Sequence, residues 1–333
     1  MDLESSSTIT IPEHPLRVCL LQPSLRRDDQ SPLEATRETI ALMQKAAAAA
    51  AAAESSADAK ANASANANES IDLFLLPELC PVGYSEDTFA RFLPTTRENQ
   101  EMLAEIDGEL QQAARDLNCA IGYGTIGWKA TGNTDDANDN DYDHDHDDDA
   151  IQCTIRHVVV NAQGTSVASY DKIHVCDYGD CSETRFFTPG SAPCSFTIHD
   201  WTLGFMVCAD MRYPRLAQTL VQRHGVHAFL QPAAFARDCS FWTWRSFRET
   251  RAVECGSYFL ANNYAGDYFG QTSFNPPWID EQHPPKILGT EVSWIVATLD
   301  PNVLKEARTR FPFYKHAMAS QSCTSCGSKE TKV

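Results

Sequence analysis

Three chemically reactive side chains, Glu78, Lys172 and Cys208, each stand at the end of an apolar run typical of a buried strand. Strand ends are where α/β sheets present catalytic groups. A carboxylate behind the run LFLLP is partly desolvated, which raises its pKa and suits a general base and acid near neutrality. A lysine at a strand end can supply a fixed positive charge for a developing oxyanion. Taken singly, Glu78 and Lys172 are more typical of ordinary strand ends.

The surroundings of Cys208 point more clearly to chemistry. This cysteine lies between an apolar strand and the expected start of a helix, in the segment LGFMVCADMRYPRL. Backbone N–H groups and the positive end of a helix lower a thiol pKa, so we expect a reactive thiolate on a tight turn. A buried structural cysteine is the alternative. Against it, Asp210, Arg212 and Pro214 complete a Cys-x-Asp-x-Arg-x-Pro pattern that a core strand does not need.

Short apolar runs alternate with helix-favouring segments along the whole chain. Residues 17–24, 71–79 and 119–129 have the composition of buried strands, and residues 99–117 have the pattern of an amphipathic helix. A turn at residues 161–164 separates the two strands of a predicted hairpin. Strands with helices between them predict a layered α/β protein with one domain.

Charge and cysteine usage restrict the possible partners and compartment. The net charge is −18, and nine aspartates lie in residues 135–149, as in a solvated loop. The sequence has no basic stripe, which argues against nucleic acid and anionic membranes as partners. Residues 1–15 do not have the pattern of a signal peptide, and no apolar run reaches membrane-spanning length. Several cysteines lie in apolar strands, so we expect a cytoplasmic protein with reduced thiols.

Two possible metal-binding motifs are incomplete. The alternating aspartates from Asp139 to Asp145 begin like a calcium loop, but His144 and Ala150 occupy the positions that need Gly and Glu. Cys323 and Cys326 have zinc or redox spacing but no second ligand pair. We therefore expect no metal site at either motif.

The order Glu, Lys, Cys and its flanking motifs resemble those of the nitrilase, or carbon–nitrogen hydrolase, superfamily. The resemblance extends from Arg17 to about Pro312. It rests on five motifs, which are Pro77-Glu78 with Gly83-Tyr84, Tyr170-x-Lys172-x-His174, the Cys208 pattern, residues 251–263 and residues 308–313. This resemblance implies a four-layer αββα sandwich of the carbon–nitrogen hydrolase type. It also implies pairing of subunits into a homodimer or a higher homo-oligomer.

The resemblance divides the chain into one hydrolase domain with flanking and inserted segments. The expected divisions are a flexible N-terminus at 1–15, the carbon–nitrogen hydrolase domain at 16–315, low-complexity insertions at about 46–70 and 131–150, and a polar tail at 316–333.

The family's chemistry assigns a role to each candidate residue. Cys208 attacks the carbonyl carbon of an amide, and Glu78 takes the thiol proton and passes it to the leaving amine. Lys172 and the backbone N–H of Ala209 hold the oxyanion. Water activated by Glu78 then releases the acid from a thioester. Glu183, in the segment CSETRFFTPG, matches a second glutamate that supports the site. The resemblance also implies that the reaction needs no metal and no organic cofactor.

The residues around the nucleophile indicate an amidase of small molecules. Nitrilases usually carry Cys-Trp-Glu, whereas this chain has Cys208-Ala209-Asp210. The stretches 174–177 and 181–184 look most like the ω-amidase group, which implies a small amide substrate, the ω-amide of a short dicarboxylic acid. Hydrolysis of aliphatic amides, N-carbamoyl compounds or deaminated peptides, and a non-catalytic binding role, are alternatives. A papain-like protease would need a different local sequence around its cysteine.

Overall fold

The computed structural model describes residues 10–55, 70–130, 151–179 and 181–315. In chain order the strands are β1 (Leu16–Gln22), β2 (Leu73–Leu75), β3 (Ala120–Ala130), β4 (Ile151–Val160), β5 (Ser166–Asp171), β6 (Ser195–Ile198), β7 (Trp201–Phe205), β8 (Ala228–Pro232), β9 (Tyr258–Asn262), β10 (Ser273–Asn275), β11 (Lys286–Ile287) and β12 (Ser293–Leu299). The helices are α1 (Pro32–Ser55), α2 (Glu86–Phe92), α3 (Arg97–Leu117), α4 (Pro214–His224), α5 (Trp242–Cys255) and α6 (Pro301–Arg310).

The strands form two six-stranded mixed sheets that pack face to face. The first sheet has the order β12-β1-β2-β3-β4-β5, and the second has the order β11-β10-β9-β8-β7-β6. Strand β1 contacts β9 across the interface, α3 packs on β3 of the first sheet and against α1, and α5 packs on β9 and β10 of the second sheet. Strands β2, β8 and β9 are buried along their whole length because both of their faces are covered. The fold is therefore the four-layer αββα sandwich that the sequence predicted.

Local sequence signals place several elements correctly. The predicted hairpin is confirmed, since β4 and β5 pair antiparallel and the turn closes through a 2.8 Å bond from Gly164 N–H to Asn161 O. Helix α1 extends over residues 46–55 of the first low-complexity tract, where Ala46 and Ala50 are buried in the core. Alanine has the highest helix propensity, so this part of the tract continues the helix.

Other sequence predictions fall partly or wholly outside the described residues. These are most of the first tract, the whole acidic insertion at 131–150, and the tail with Cys323 and Cys326. The ten cysteines within the described ranges are free thiols. None of the helices in those ranges is both long enough and apolar enough to cross a membrane.

A buried histidine between the sheets makes the fold sensitive to acid. His157 on β4 packs against Phe205 on β7, and neither of its ring nitrogens has a hydrogen-bond partner among the described residues. Burial lowers the pKa of His157 from 6.5 to about 3. The folded chain therefore keeps this ring neutral at a pH where the unfolded chain protonates it. With respect to this ring, the free energy of unfolding has its full value above pH 6.5 and decreases as the pH falls toward 3.

We expect His157→Leu to reduce the loss of stability in acid. Between pH 8 and pH 5 the native chain should lose about 2 kcal/mol of unfolding free energy from this group alone. Urea unfolding at the two pH values measures the difference. His283→Gln, on an exposed loop, is the control and should behave like the native chain. If His157→Leu loses as much stability as the native chain, the ring does not cause the acid sensitivity.

Candidate active site

Glu78 lies in a turn directly after β2, where the two sheets meet. Its side chain is fully buried. The carboxylate accepts a hydrogen bond from the backbone N–H of Ala234, which follows β8 in the second sheet, with N–Oε2 3.1 Å. The hydroxyl of Tyr264 donates to the Glu78 carbonyl oxygen at 2.8 Å. Contacts from the second sheet therefore hold a residue that the first sheet carries.

Lys172 follows β5 and joins two buried carboxylates. Its Nζ lies 2.7 Å from Oε1 of Glu78 and 2.7 and 2.8 Å from the two carboxylate oxygens of Glu183. All three side chains are shielded from solvent. Glu183 also accepts hydrogen bonds from the Cys176 N–H at 2.6 Å and from the Tyr84 hydroxyl. The buried charges are thus paired and hydrogen-bonded, as charges in a protein interior must be.

Burial and neighbouring charges set the protonation of this cluster. Burial raises the pKa of Glu78 to about 7, while the Lys172 charge opposes that rise. Burial disfavours the charged form of Lys172, but the charges of Glu183 and Glu78 raise its pKa above the usual range. Lys172 is therefore a permanent ammonium group. Glu78 is a carboxyl group that can accept and return a proton near neutral pH.

Cys208 begins a short 3-10 turn, Cys208–Arg212, directly after β7. Its backbone has φ 45°, a left-handed conformation that costs energy for a residue with a side chain. Asp210 closes the turn by accepting from the Val207 N–H at 2.9 Å and from the Tyr170 hydroxyl at 2.7 Å. It also accepts from the His174 N–H at 3.0 Å. The Asp of the Cys208 motif therefore positions the strained turn.

The expected lowering of the Cys208 pKa is wrong. Burial and the nearby charge of Glu78 raise the pKa of this thiol well above its usual value, although Lys172 opposes them. The positive end of an α-helix is not at the thiol, because α4 begins only at Pro214, after the short turn. Cys208 is thus a protonated thiol in the resting site. A nucleophilic attack by its sulfur requires a base, and Glu78 is within electrostatic range.

A narrow cleft lies at Cys208, beside a larger pocket with which it shares lining residues. The cleft has a volume of about 20 Å³, and its lining includes Cys176, Cys181, Cys208, Ala209, Arg212 and Phe235. A neighbouring pocket of about 220 Å³, lined in part by Tyr84, Phe89 and Phe269, shares Cys181, Ala234 and Ala236 with the cleft. The space directly at the nucleophile candidate is therefore small, and the larger space lies beside it.

The structure brings the five candidate site residues that were named from the sequence into one region. Glu78, Lys172 and Glu183 are in direct contact, Cys208 lies within their electrostatic field, and Ala209 lines the cleft. Sequence reasoning did not assign roles to Tyr84, the Ala234 N–H or the Arg212 guanidinium. Gly83-Tyr84 and Arg212 were visible as parts of motifs. The Ala234 N–H had no sequence signal, because any residue but proline carries this group.

Gly124 allows β3 to approach the turn that carries Glu78. A Cβ at this position would lie 2.2 Å from the backbone nitrogen of Leu79 and 2.6 Å from its Cα. The Gly124 N–H also donates to Cys80 O at 3.1 Å. Gly108 on α3 is a matched control, because a Cβ there has no neighbour within 4 Å.

We expect Gly124→Ala to displace the Glu78 turn. The variant should lose activity at least about tenfold, which corresponds to about 1.4 kcal/mol of transition-state stabilisation, and its melting temperature should fall. Gly108→Ala should instead stabilise the helix by about 0.5–1 kcal/mol and leave activity unchanged. Thermal melts and initial rates measure both. Unchanged activity in Gly124→Ala would show that this close approach does not position Glu78.

The family of the chain follows from comparison with known proteins. The family model described as carbon–nitrogen hydrolase matches residues 30–309, which is most of the chain. The chain therefore belongs to the carbon–nitrogen hydrolase family, and the resemblance in its motifs is confirmed.

Curated relatives and solved structures are amidases or members of the nitrilase superfamily. The chain is 28% identical over 179 residues to human deaminated glutathione amidase, covering 48% of this chain and 51% of the relative. It is 27% identical over 168 residues to human omega-amidase, covering 47% and 59%. The match thus spans about half the length of these relatives.

Two crystal structures share the fold. Nit3 of Saccharomyces cerevisiae, a member of branch 10 of the nitrilase superfamily, superposes with a TM-score of 0.65 and 20% identity over 92% of this chain and 97% of that chain. An amidase from Nesterenkonia sp. has a TM-score of 0.61 and 22% identity over 92% and 98%.

Proposed function

We propose that this chain is an amidase that hydrolyses a small linear amide to an acid and ammonia. The observation that carries the proposal is the buried contact of Lys172 with both Glu78 and Glu183, next to the Cys208 thiol. The names of the curated relatives, deaminated glutathione amidase and omega-amidase, support the same reaction class. A cluster of one cation and two carboxylates without solvent contact is costly to bury, so chemistry is the simplest reason for it.

Acylation of Cys208 is the first half of the proposed reaction. Glu78 takes the proton of the thiol, and the sulfur attacks the carbonyl carbon of the amide. The Lys172 ammonium and the Ala209 N–H stabilise the oxyanion of the tetrahedral intermediate. When the C–N bond breaks, Glu78 returns its proton to the nitrogen and ammonia leaves. A carboxyl pKa of about 7 suits both transfers.

Hydrolysis of the resulting thioester completes the turnover. Glu78 accepts a proton from water, whose oxygen attacks the thioester carbon. The C–S bond breaks, the acid leaves, and the proton returns to the Cys208 sulfur. Glu183 does not need to reach the substrate in this scheme. We assign it the role of holding Lys172 in place and balancing its charge, which fits its bonds to Lys172, Cys176 and Tyr84.

Arg212 supports an anionic substrate. Its guanidinium lines the Cys208 cleft and lies over the rings of Tyr178 and Phe235, at 5.4 and 5.2 Å. It donates to the hydroxyls of Thr243 and Ser240 but forms no ion pair with a carboxylate of the described residues. Its Nε is buried without a partner there. A carboxylate at the far end of the substrate would pair with this charge. The ω-amide of a short dicarboxylic acid has that carboxylate.

The adjoining pocket favours a second candidate substrate. Its volume of about 220 Å³ next to the narrow cleft could hold part of a longer substrate. A peptide-like amide such as deaminated glutathione, which the name of one relative specifies, is longer than a short ω-amide and is also anionic. Its hydrolysis would release an amine in place of ammonia.

A substrate panel with Arg212 variants tests the proposal. We expect ammonia release from the monoamides of succinic and glutaric acid to exceed that from butyramide, which is neutral. Arg212→Gln should raise KM for the anionic amides at least about tenfold, a loss of about 1.4 kcal/mol, and leave butyramide hydrolysis nearly unchanged. Arg245→Gln, which removes an exposed arginine of α5, is the matched control and should alter neither.

Two results would contradict these assignments separately. No ammonia from any primary amide, and no new primary amine from deaminated glutathione, would count against the amidase. An equal effect of Arg212→Gln on anionic and neutral amides would leave the amidase intact and remove the argument for a substrate carboxylate.

A further inference from the structure

Two further thiols lie in the Cys208 cleft and contact each other. Cys176 and Cys181 belong to the loop after β5, and both line the cleft. The Cys181 N–H donates to Tyr178 O at 3.2 Å, so both residues lie against the same carbonyl group, and each side chain shifts the pKa of the other. The Cys176 sulfur also lies 3.7 Å from Tyr178 O, and the hydroxyl of Tyr84 lies 3.7 Å from the Cys181 sulfur. The two sulfur atoms are therefore neighbours held from both sides.

This pair differs from the cysteines of the strands. Cys19 on β1 and Cys153 on β4 are buried core residues, and burial raises the pKa of each. The hydrogen bond from Cys181 lowers the pKa of Cys176, in spite of burial, and the same bond and burial raise the pKa of Cys181. Within the described ranges Cys176 is the one cysteine whose pKa is lowered. The pair thus combines a thiol of lowered pKa with a neighbouring thiol inside one cleft, the arrangement of a redox-sensitive site.

We propose that Cys176 and Cys181 are a site of reversible oxidation by peroxides, where a disulfide bond forms and slows turnover at Cys208. The Cys176 sulfur attacks one oxygen of hydrogen peroxide, the O–O bond breaks, and hydroxide leaves, so Cys176 becomes a sulfenic acid. The Cys181 sulfur then attacks the Cys176 sulfur. The S–O bond breaks, the S–S bond forms, and the hydroxide takes the Cys181 proton to give water. A dithiol reductant reverses the reaction.

The loop that carries Cys176 and Cys181 is hydrogen-bonded directly to Glu183, which contacts Lys172. The Cys176 N–H donates to the carboxylate of Glu183 at 2.6 Å, and the Glu183 N–H donates to Cys176 O at 2.9 Å. Tyr84 contacts both the Cys181 sulfur and the Glu183 carboxylate. Bond formation draws the two sulfurs from hydrogen-bonding to covalent distance and so moves the backbone that holds Glu183. Glu183 in turn holds Lys172, so oxidation should disturb the proposed oxyanion site.

Peptide mapping tests the disulfide without any assay of activity. The full-length protein is reduced with dithiothreitol, the reductant is removed, and samples are treated with increasing concentrations of hydrogen peroxide. The remaining free thiols are then alkylated with iodoacetamide, and the protein is digested with trypsin. Cleavage after Lys172 and Arg185 leaves both cysteines in one peptide, residues 173–185, and Cys208 in another, residues 186–212. We expect the first peptide to appear unalkylated and lighter by two hydrogen atoms than its reduced form. A cross-link between the two peptides, or no linkage before other thiols oxidise, overturns the proposal.

The effect on turnover rests on the proposed amidase function and is measured in parallel. We expect peroxide to slow ammonia release at least about tenfold in step with the disulfide, and dithiothreitol to restore it. Cys181→Ser should form no disulfide and should keep its own starting activity at peroxide doses that inactivate the native chain. Cys194→Ser, which removes a half-buried thiol outside the cleft, is the control and should respond as the native chain does.

The remaining outcomes distinguish the switch from the amidase assignment. Loss of activity in Cys181→Ser at the native rate would place the sensitive thiol at Cys208 and overturn the switch. A disulfide that leaves turnover unchanged would also overturn it. If no substrate is found, the proposed function fails, while the mapped disulfide still decides whether the pair is an oxidation site.

Discussion

Replacing Cys208 with alanine is expected to reduce ammonia release below detection, a loss of roughly four orders of magnitude or more. The proposed reaction has no covalent intermediate without the sulfur, and no other described cysteine has its pairing with Glu78 and Lys172. The change removes a single atom and its hydrogen, so the unfolding free energy should shift by about 1 kcal/mol or less. Initial rates and urea unfolding measure the two effects.

Intact-mass spectrometry separates chemistry from binding in this variant. Acid quenching of the native enzyme during turnover should trap a thioester adduct of the acyl group, whereas Cys208→Ala should show none. Cys194→Ala is the control, because Cys194 lies outside the Cys208 cleft, and it should retain the adduct. Ammonia release by Cys208→Ala at a rate near that of the native enzyme would exclude Cys208 as the nucleophile.

Lys172→Gln is the second change with a large expected effect, because this lysine has two roles. Among the residues that the structure describes, its ammonium is the one cation in direct contact with the carboxylates of Glu78 and Glu183. Glutamine keeps a hydrogen-bond donor but leaves two buried carboxylates without a counter-charge. We expect a fall in unfolding free energy of about 3–5 kcal/mol. Loss of oxyanion stabilisation should lower kcat on the order of a hundredfold or more.

A double variant distinguishes the structural role from the catalytic one. Lys172→Gln combined with Glu183→Gln removes one carboxylate together with the cation, so the remaining buried charge is smaller. The double variant should recover much of the lost stability and should remain as inactive as Lys172→Gln. If activity returned together with stability, Lys172 would be needed only for folding and its proposed contact with the oxyanion would be wrong.

The sequence identified the reactive groups of the site because each carries a local signal. Glu78, Lys172 and Cys208 each end an apolar strand, and the motif residues around them are close in sequence. The Asp210 of the motif could be noticed for the same reason, although its bonds to Tyr170 and His174 became visible only in the fold.

Properties that depend on distant neighbours could not be predicted in this way. The sign of the Cys208 pKa shift depends on burial and on the Glu78 charge, which comes from the other sheet. The contact of Tyr84 with Glu183 joins residues far apart in the chain. Alanine-rich sequence suits both a helix and a low-complexity tract, so the sequence alone could not show that Ala46 and Ala50 pack in the core at the end of α1.

The candidate site is divided between the two sheets, so it exists only while the sheets are packed on each other. Glu78 and Lys172 follow strands of the first sheet, whereas Cys208 and the Ala234 N–H follow strands of the second. A chain with both sheets formed but separated would hold its candidate base and its candidate nucleophile on different surfaces. Such a chain could neither carry out the proposed reaction nor bind a substrate analogue that spans both groups. The interface between the sheets is therefore part of the candidate site as well as of the core.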